Sequence, residues 1–204
     1  MKKTLPVILL LTLLLASCGG SKSVVNRFYV LEYPARVVEG MEEELLSIDG
    51  SCLIETPGMH SAFATHQIAL REDTHEIKYF SFNEWANRPE QSLATIIWSF
   101  FQDFPVFGQG AVLQGSGEEK YALQTHVSRM EVVQQRNDFH ARLNVEFLLV
   151  DRSTGATLAA HKASRQEVLA QRNLNLFASA ISEIFVEELQ RFTMEILNVL
   201  QSPE

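Results

Sequence analysis

Residues 75–108 read HEIKYFSFNEWANRPEQSLATIIWSFFQDFPVFG and hold both tryptophans of the chain, Trp85 and Trp98. The first part predicts a strand over 76–82, where Tyr79, Phe80 and Phe82 are bulky β-formers. Asn87-Arg88-Pro89-Glu90 then has the form of a capping box: the Asn87 side chain would accept from an early helix N–H, and Glu90 would reach back to the cap. Pro89 costs little there, because first-turn N–H groups have no helical partner. Leu93, Ile97, Phe100, Phe101 and Phe104 follow on one helical face, and Ala94 and Trp98 widen it. A mostly buried helix is therefore expected over 90–104, ended by Pro105. An aromatic helix needs an apolar surface to cover, and the strands around it are the only candidates.

Downstream, 121–135, 139–150 and 157–170 carry the strongest β pattern. Phe139, Ala141, Leu143, Val145, Phe147 and Leu149 alternate with His140, Arg142, Asn144 and Glu146, a period of two with one apolar face. Residues 136–138 and 151–155 supply the turns, which predicts a three-stranded antiparallel meander. Upstream, 24–32, 51–55 and 62–70 read as shorter strands, with turns at Pro57-Gly58 and Glu72-Asp73-Thr74. The stretch 37–48, with its acidic run, fits a helical turn or a loop. At the far end Leu174, Phe177, Ile181, Ile184, Phe185, Leu189, Phe192, Ile196 and Val199 keep helical spacing, while Glu183, Glu187, Gln190, Arg191 and Glu195 fall off the stripe. The expected fold class is α+β: a mostly antiparallel sheet with a C-terminal three-stranded meander, packed by two amphipathic helices at about 90–104 and 174–200.

The amino terminus has a different character. Lys2-Lys3 precede an apolar run at 5–15, the length of a signal-peptide core and shorter than the roughly 20 residues a spanning helix needs. Leu15-Ala16-Ser17-Cys18 closes it in the form of a lipobox: a branched aliphatic residue, two small residues that fit a peptidase cleft, and a cysteine whose thiol accepts diacylglyceryl. Cleavage is expected between Ser17 and Cys18, with Cys18 the lipid-modified residue. By resemblance to proteobacterial lipoproteins, Gly19 at the next position permits sorting to the outer membrane. The chain then divides into a signal peptide at 1–17, a lipidated flexible tether at 18–23 and a single α+β periplasmic domain at 24–204. Loss of Lys2 and Lys3 leaves 15 basic against 25 acidic residues, a net charge of about −10. That balance disfavours nucleic acid and anionic membrane surfaces as partners. With Cys18 acylated, Cys52 has no disulfide partner and reads as a small apolar residue in a strand.

No catalytic constellation emerges. The glycine-rich stretch 108–120 lacks the Gly-Lys-Ser/Thr of a phosphate loop, and Gly115-Ser116-Gly117 is not a nucleophile elbow. The six histidines invite a metal hypothesis. If Val133 faces His140 across the first hairpin and Glu146 faces His161 across the second, His126 shares a face with Phe147. His140 and His161 then lie on the opposite face, about 20 Å apart at 3.3 Å per residue. No two of the three can share a zinc, whose ligands sit about 2 Å away. Catalytic residues, metal ligands and cofactors are accordingly expected to be none.

The order of these features resembles the ABC-type transport auxiliary lipoproteins, PqiC-like. The shared features are the lipobox, the strand Phe28-Tyr29-Val30-Leu31, and the strand, tryptophan turn and helix that follow from Tyr79-Phe80-Ser81-Phe82-Asn83-Glu84-Trp85-Ala86. Next come a Tyr-x-Leu strand from Tyr121 to Val127, a hairpin with Asp151 and Gly155, and a C-terminal helix. The family's Pro-x-x-Leu segment is matched poorly, since Thr56-Pro57-Gly58-Met59 leads into Ser61-Ala62-Phe63. No partner-contact residue is carried over. The resemblance implies an outer-membrane lipoprotein that accompanies an ABC transporter with a periplasmic MCE-domain component and docks it or receives lipid from it. Its partners would be the membrane, through the N-terminal anchor, and the MCE component; a homo-oligomer is left open. A second reading is an envelope-assembly lipoprotein that supports an outer-membrane β-barrel or a surface polymer. Cys18→Ala should abolish acylation and leave an unprocessed or misrouted precursor, read by loss of radiolabelled palmitate; equal labelling of the variant would refute the assignment.

Overall fold

The computed structural model describes residues 25–34 and 47–201. In chain order its elements are β1 (Arg27–Tyr29), β2 (Cys52–Ile54), β3 (Gly58–Met59), β4 (Gln67–Arg71), β5 (Ile77–Trp85), α1 (Pro89–Asp103), β6 (Ala111–Val112), β7 (Tyr121–Gln135), β8 (Asp138–Asp151), β9 (Thr157–Val168) and α2 (Leu174–Gln201). Ser17, Cys18, the tether 18–23 and most of the acidic stretch, 37–46, lie outside the described residues.

The α+β class and the meander are as expected. β7, β8 and β9 pair antiparallel along nearly their whole lengths. The other edge of β7 is tiled by three short parallel strands laid end to end. Cys52 of β2 faces Tyr121, Gly58 of β3 faces His126, and Leu70 of β4 faces Val132. β5 joins β4 antiparallel, and β1 and β6 add parallel edges on β5 and β2. The long ladders are thus antiparallel and the short ones parallel, so the sheet is mixed. Pro57-Gly58 does not simply turn, because Gly58 opens β3; the strand expected at 62–70 is confined to Gln67–Arg71.

Both helices cover one face of this sheet. Phe147 of β8 packs between Phe185 and Phe192 of α2, at ring distances of 5.4 and 5.6 Å. Trp85 at the end of β5 meets Phe177 at 5.8 Å. Around α1 a chain of rings runs Phe104, Phe100, Phe101, Phe107, Tyr121, each 5.1–5.9 Å from the next. The other face of the sheet is polar, and its most enclosed group is Glu131. This carboxylate is fully buried and accepts from Arg71 of β4 at 2.9 Å and Arg142 of β8 at 3.3 Å. Two guanidinium donors offset the desolvation of the charge.

Three expectations are corrected. The Asn87 capping box does not form. Arg88 is the cap, with φ −60° and ψ 133° and no side-chain cap bond, because the residue before a proline is driven to the extended region. Trp98 is not buried; it is 39% exposed, and Ile96 takes its place in the core. At about 100° per residue, Trp98 projects some 140° from Leu93, beyond the arc the sheet and α2 cover. Likewise Val199 is exposed.

The third correction concerns the histidines. Val133 does face His140, but a bulge between Val127 and Arg129 shifts the ladder, and His126 faces Glu146 on the outer side. A second bulge next to Leu149 and Val150 brings His161 opposite Phe147, on the inner side. One inserted residue exchanges the two faces of a strand.

His161 therefore points at α2 and joins an ionic network that clamps the edge strand β9 to the helix. Its Nε2 lies 2.9 Å from Glu188 and its Nδ1 2.8 Å from Glu195. Arg165 donates to Glu188 at 2.7 Å, Glu187 at 3.2 Å and Glu167 at 2.6 Å, and Arg191 reaches Glu188 at 3.1 Å. Inward charges also make β9 a poor template for a further strand. Burial works to raise the Glu188 carboxyl, but donation from His161 and Arg165 and the charge of Arg191 hold it below the usual range.

Two outcomes follow. Phe101→Ala should cost about 3–5 kcal/mol, the range for emptying an aromatic core site, whereas Trp98→Ala should stay within about 0.5–1 kcal/mol; denaturant titration separates them. The Glu188 carboxyl is lower when folded, so the unfolded chain protonates first and acid favours it. Its stabilisation is present above the ordinary value of about 4.3 and lost as pH falls through the lowered one. Thermal midpoints should drop as pH falls below the ordinary carboxylate value, and Glu188→Gln should start lower at neutral pH and fall less steeply; parallel curves would refute the role of this carboxylate.

Candidate docking surface

The segment 30–34 follows β1 and threads between the two helices. Leu31 is buried, the Glu32 N–H donates to Ser182 Oγ of α2 at 3.2 Å, and Tyr33 is half-buried. A cleft opens on each side of it. The first, about 480 Å³, has Leu31, Glu32 and Tyr33 as one wall, with Gln91, Thr95 and Ser99 of α1 in the other. The second, about 350 Å³, lies against Asn175, Ser179 and Ser182 of α2. The Tyr33 hydroxyl is buried without a hydrogen-bond partner. Burial, the charge of Asp103 and its side chain raise its pKa well above the ordinary value.

The solvent face of α1 continues the first cleft. Gln91, Thr95, Trp98 and Gln102 are all exposed, and none is charged. Thr95 turns its hydroxyl inward to the Gln91 carbonyl at 3.0 Å, so it presents mainly its methyl group. Trp98 is seven residues from Gln91 and shares its face. A large, rigid aromatic side chain beside a polar cleft is the composition of an interface centre, where tryptophan is over-represented. Sequence reasoning assigned Trp98 to the core. The signal against this was its place beside Gln91 and Gln102 on the helical wheel.

The remaining candidates have structural work. Cys52 is buried in β2, and burial pushes its thiol up to about 12, which removes thiolate chemistry at neutral pH. The glycine-rich loop binds an anion already, and it is internal. The Glu119 carboxylate accepts from the Ser116 N–H at 2.6 Å, the Gly117 N–H at 3.2 Å and Arg152 at 2.8 Å. Hydrogen bonds from its own backbone N–H, from the Ser116 N–H and hydroxyl and from the Gly117 N–H pull its pKa down to about 2. A Cβ on Gly115 would meet that carboxylate at 2.8 Å, and Gly117 needs φ +99°, so the glycines serve this internal cap. His66 bonds the Trp85 carbonyl at 3.0 Å, and His60 accepts from the Ala62 N–H at 3.2 Å. Among the described residues no group of three or more His, Cys, Asp or Glu side chains is placed to hold a metal ion, and no helix is long and apolar enough to cross a membrane.

The fold has close structural relatives. Protein XCC0632 from Xanthomonas campestris superposes with a TM-score of 0.65 at 16% identity, over 85% of this chain and 95% of that one. A second solved structure, of an uncharacterized protein, gives 0.65 at 13% identity, over 84% and 99%. At such identities the likeness establishes the fold alone. No curated protein sequence matches the chain. The family model for the ABC-type transport auxiliary lipoprotein component matches residues 39–191, well over half of the chain, from ahead of β2 into the middle of α2. The chain belongs to the family of ABC-type transport auxiliary lipoprotein components.

Proposed function

We propose that this chain is the outer-membrane lipoprotein of an ABC transport system whose periplasmic component carries MCE domains. It is cleaved between Ser17 and Cys18, anchored by acyl chains on Cys18, and acts through a single domain at 24–204. Its part is to dock the periplasmic component. It has no catalytic step of its own.

The observation that favours docking over carriage of lipid is the packed interior. Phe100, Phe107, Phe147, Phe177, Phe185 and Phe192 are fully buried, and their ring contacts run through the space between helices and sheet. These core side chains fill that space, and the two clefts beside 30–34 are open and mix serine, threonine, glutamine and asparagine with Leu31, Ile96, Val30 and Ala178. Trp98 and the neutral face of α1 are the surface offered to the partner. The acidic net charge acts at longer range, steering the approach of a basic surface and making the association rate salt-dependent.

Native mass spectrometry of the protein extracted from membranes tests the choice. The expected spectrum shows the acylated chain without stoichiometric non-covalent phospholipid, and the protein binds the MCE component. Trp98→Ala should keep its thermal midpoint within a few degrees while losing about thirtyfold or more in that affinity, as truncating an interface centre costs about 2 kcal/mol or more. Stoichiometric bound phospholipid would make the protein a carrier, and unchanged affinity of the Trp98 variant would move the docking surface elsewhere.

A further inference from the structure

Four of the ten exposed large apolar side chains gather at one place, the edge made by β1 and β5. Phe28 is 61% exposed, Phe82 48%, Val25 72% and Val30 44%. The register explains why. β1 runs parallel to β5, with Phe28 beside Glu84 and Tyr29 beside Trp85. Tyr29 and Trp85 turn inward, and Tyr29 fixes the pairing by donating to Asn83 Oδ1 at 3.1 Å. Phe28 therefore points outward, and Phe82, two residues before Glu84, returns to that face; Val30, just past the end of β1, is exposed at the mouth of the cleft against α2. Val25 lies two residues before the strand. The charged neighbours are Arg27, exposed, and Glu84, half-buried beside Phe28. Tyr79, towards the other end of β5, is exposed and donates to the Ala62 carbonyl at 3.0 Å, and the remaining ones lie apart, on α1, on α2, at the end of β9 and in the loop at Leu113.

We propose that this edge seats on the surface of the bilayer that holds the anchor, so that the domain lies against the membrane in one orientation. The proposal rests on the reading of Cys18 as the acylated residue. From Cys18 to Val25 is seven residues, which span at most about 25 Å even when fully extended. The tether therefore keeps this patch within reach of the lipid surface. A short tether raises the local concentration of its target to about the millimolar range, so a small apolar contact suffices. Phenylalanine and valine insert at the apolar side of the headgroup layer, as on membrane-surface helices. The acidic net charge opposes an anionic surface, so the contact is apolar and survives high salt. Seated this way, segment 30–34, which leaves β1 directly, carries its two clefts close to the membrane.

The test uses the full acylated protein with a polarity-sensitive dye at single introduced cysteines. Phe28→Cys, Phe82→Cys and, as a remote control, Val168→Cys on the far edge strand are labelled in turn; buried Cys52, with its thiol pushed up to about 12, does not compete. All three sites are exposed, so an unchanged thermal midpoint certifies the fold of each variant. Vesicles of phosphatidylcholine and phosphatidylethanolamine, with a fraction of the lipid brominated, receive the protein. Dyes at 28 and 82 should shift to the blue and be quenched, unaltered by salt, while the dye at 168 stays water-like. Mass spectrometry of the same samples reports the acyl chains on Cys18; their absence would refute the anchor reading and this proposal with it. Acylated protein whose dyes at 28 and 82 behave like the one at 168 would overturn the seating alone. Dyes shielded without bromine quenching, in proportion to protein concentration, would instead assign the edge to contact between copies of the chain.

Discussion

A long hairpin with one apolar face cannot stand in water uncovered, and the rest of this structure answers that constraint. β7 and β8 present Leu123, Val127, Met130, Val132, Ala141, Leu143, Val145, Phe147 and Leu149 to one side, all buried. Full burial of such side chains is worth about 1.5–3 kcal/mol each. The covering is supplied from both ends of the chain: α2 follows the meander, and α1 arrives from the N-terminal half with its own aromatic stripe. Phe147 between Phe185 and Phe192 marks where the two layers lock. Everything left for interaction lies outside this contact, in the helix faces, clefts and strand edges it does not consume.

The polar groups that remain inside are placed where the layers would otherwise slide. Glu188 ties α2 to β9 through Arg165 and His161, and Glu131 ties β4, β7 and β8 through Arg71 and Arg142. Such networks are specific because each member has its partner, and removing one strands the others. They also occupy the charges a metal or catalytic hypothesis would have borrowed.

The meander was legible because alternation over a dozen residues is a strong signal, and β7 begins and ends where the pattern says. What failed was phase. Leu123, Thr125 and Val127 keep one parity and Met130 and Val132 the other, so the change at Ser128 is written in the chain, yet a single assumed register passes over it. The second bulge, at Leu158 next to the turn, has no such mark. β3 and β6 are two residues each and have no period to read. The cap at Arg88 followed a rule, the extended preference before proline, that outweighed an attractive motif. The clefts beside 30–34 were out of reach because they depend on where a non-repetitive segment passes between two helices. The lipobox, legible as sequence, concerns residues the structure does not describe.

The tiling of β7 has a consequence for how the chain must come together. Cys52 meets Tyr121 and Leu70 meets Val132, partners 69 and 62 positions apart. β2, β3 and β4 are made before β7; β4 can pair with β5, but the edges of all three that face β7 have no partner yet. At about 5–20 residues per second their partner strand follows roughly 3–14 s later. The meander needs only its own turns and can zip as soon as it emerges. Assembly is then back to front: the last-made half is the template, and the first-made half must be kept from wrong partners until it exists.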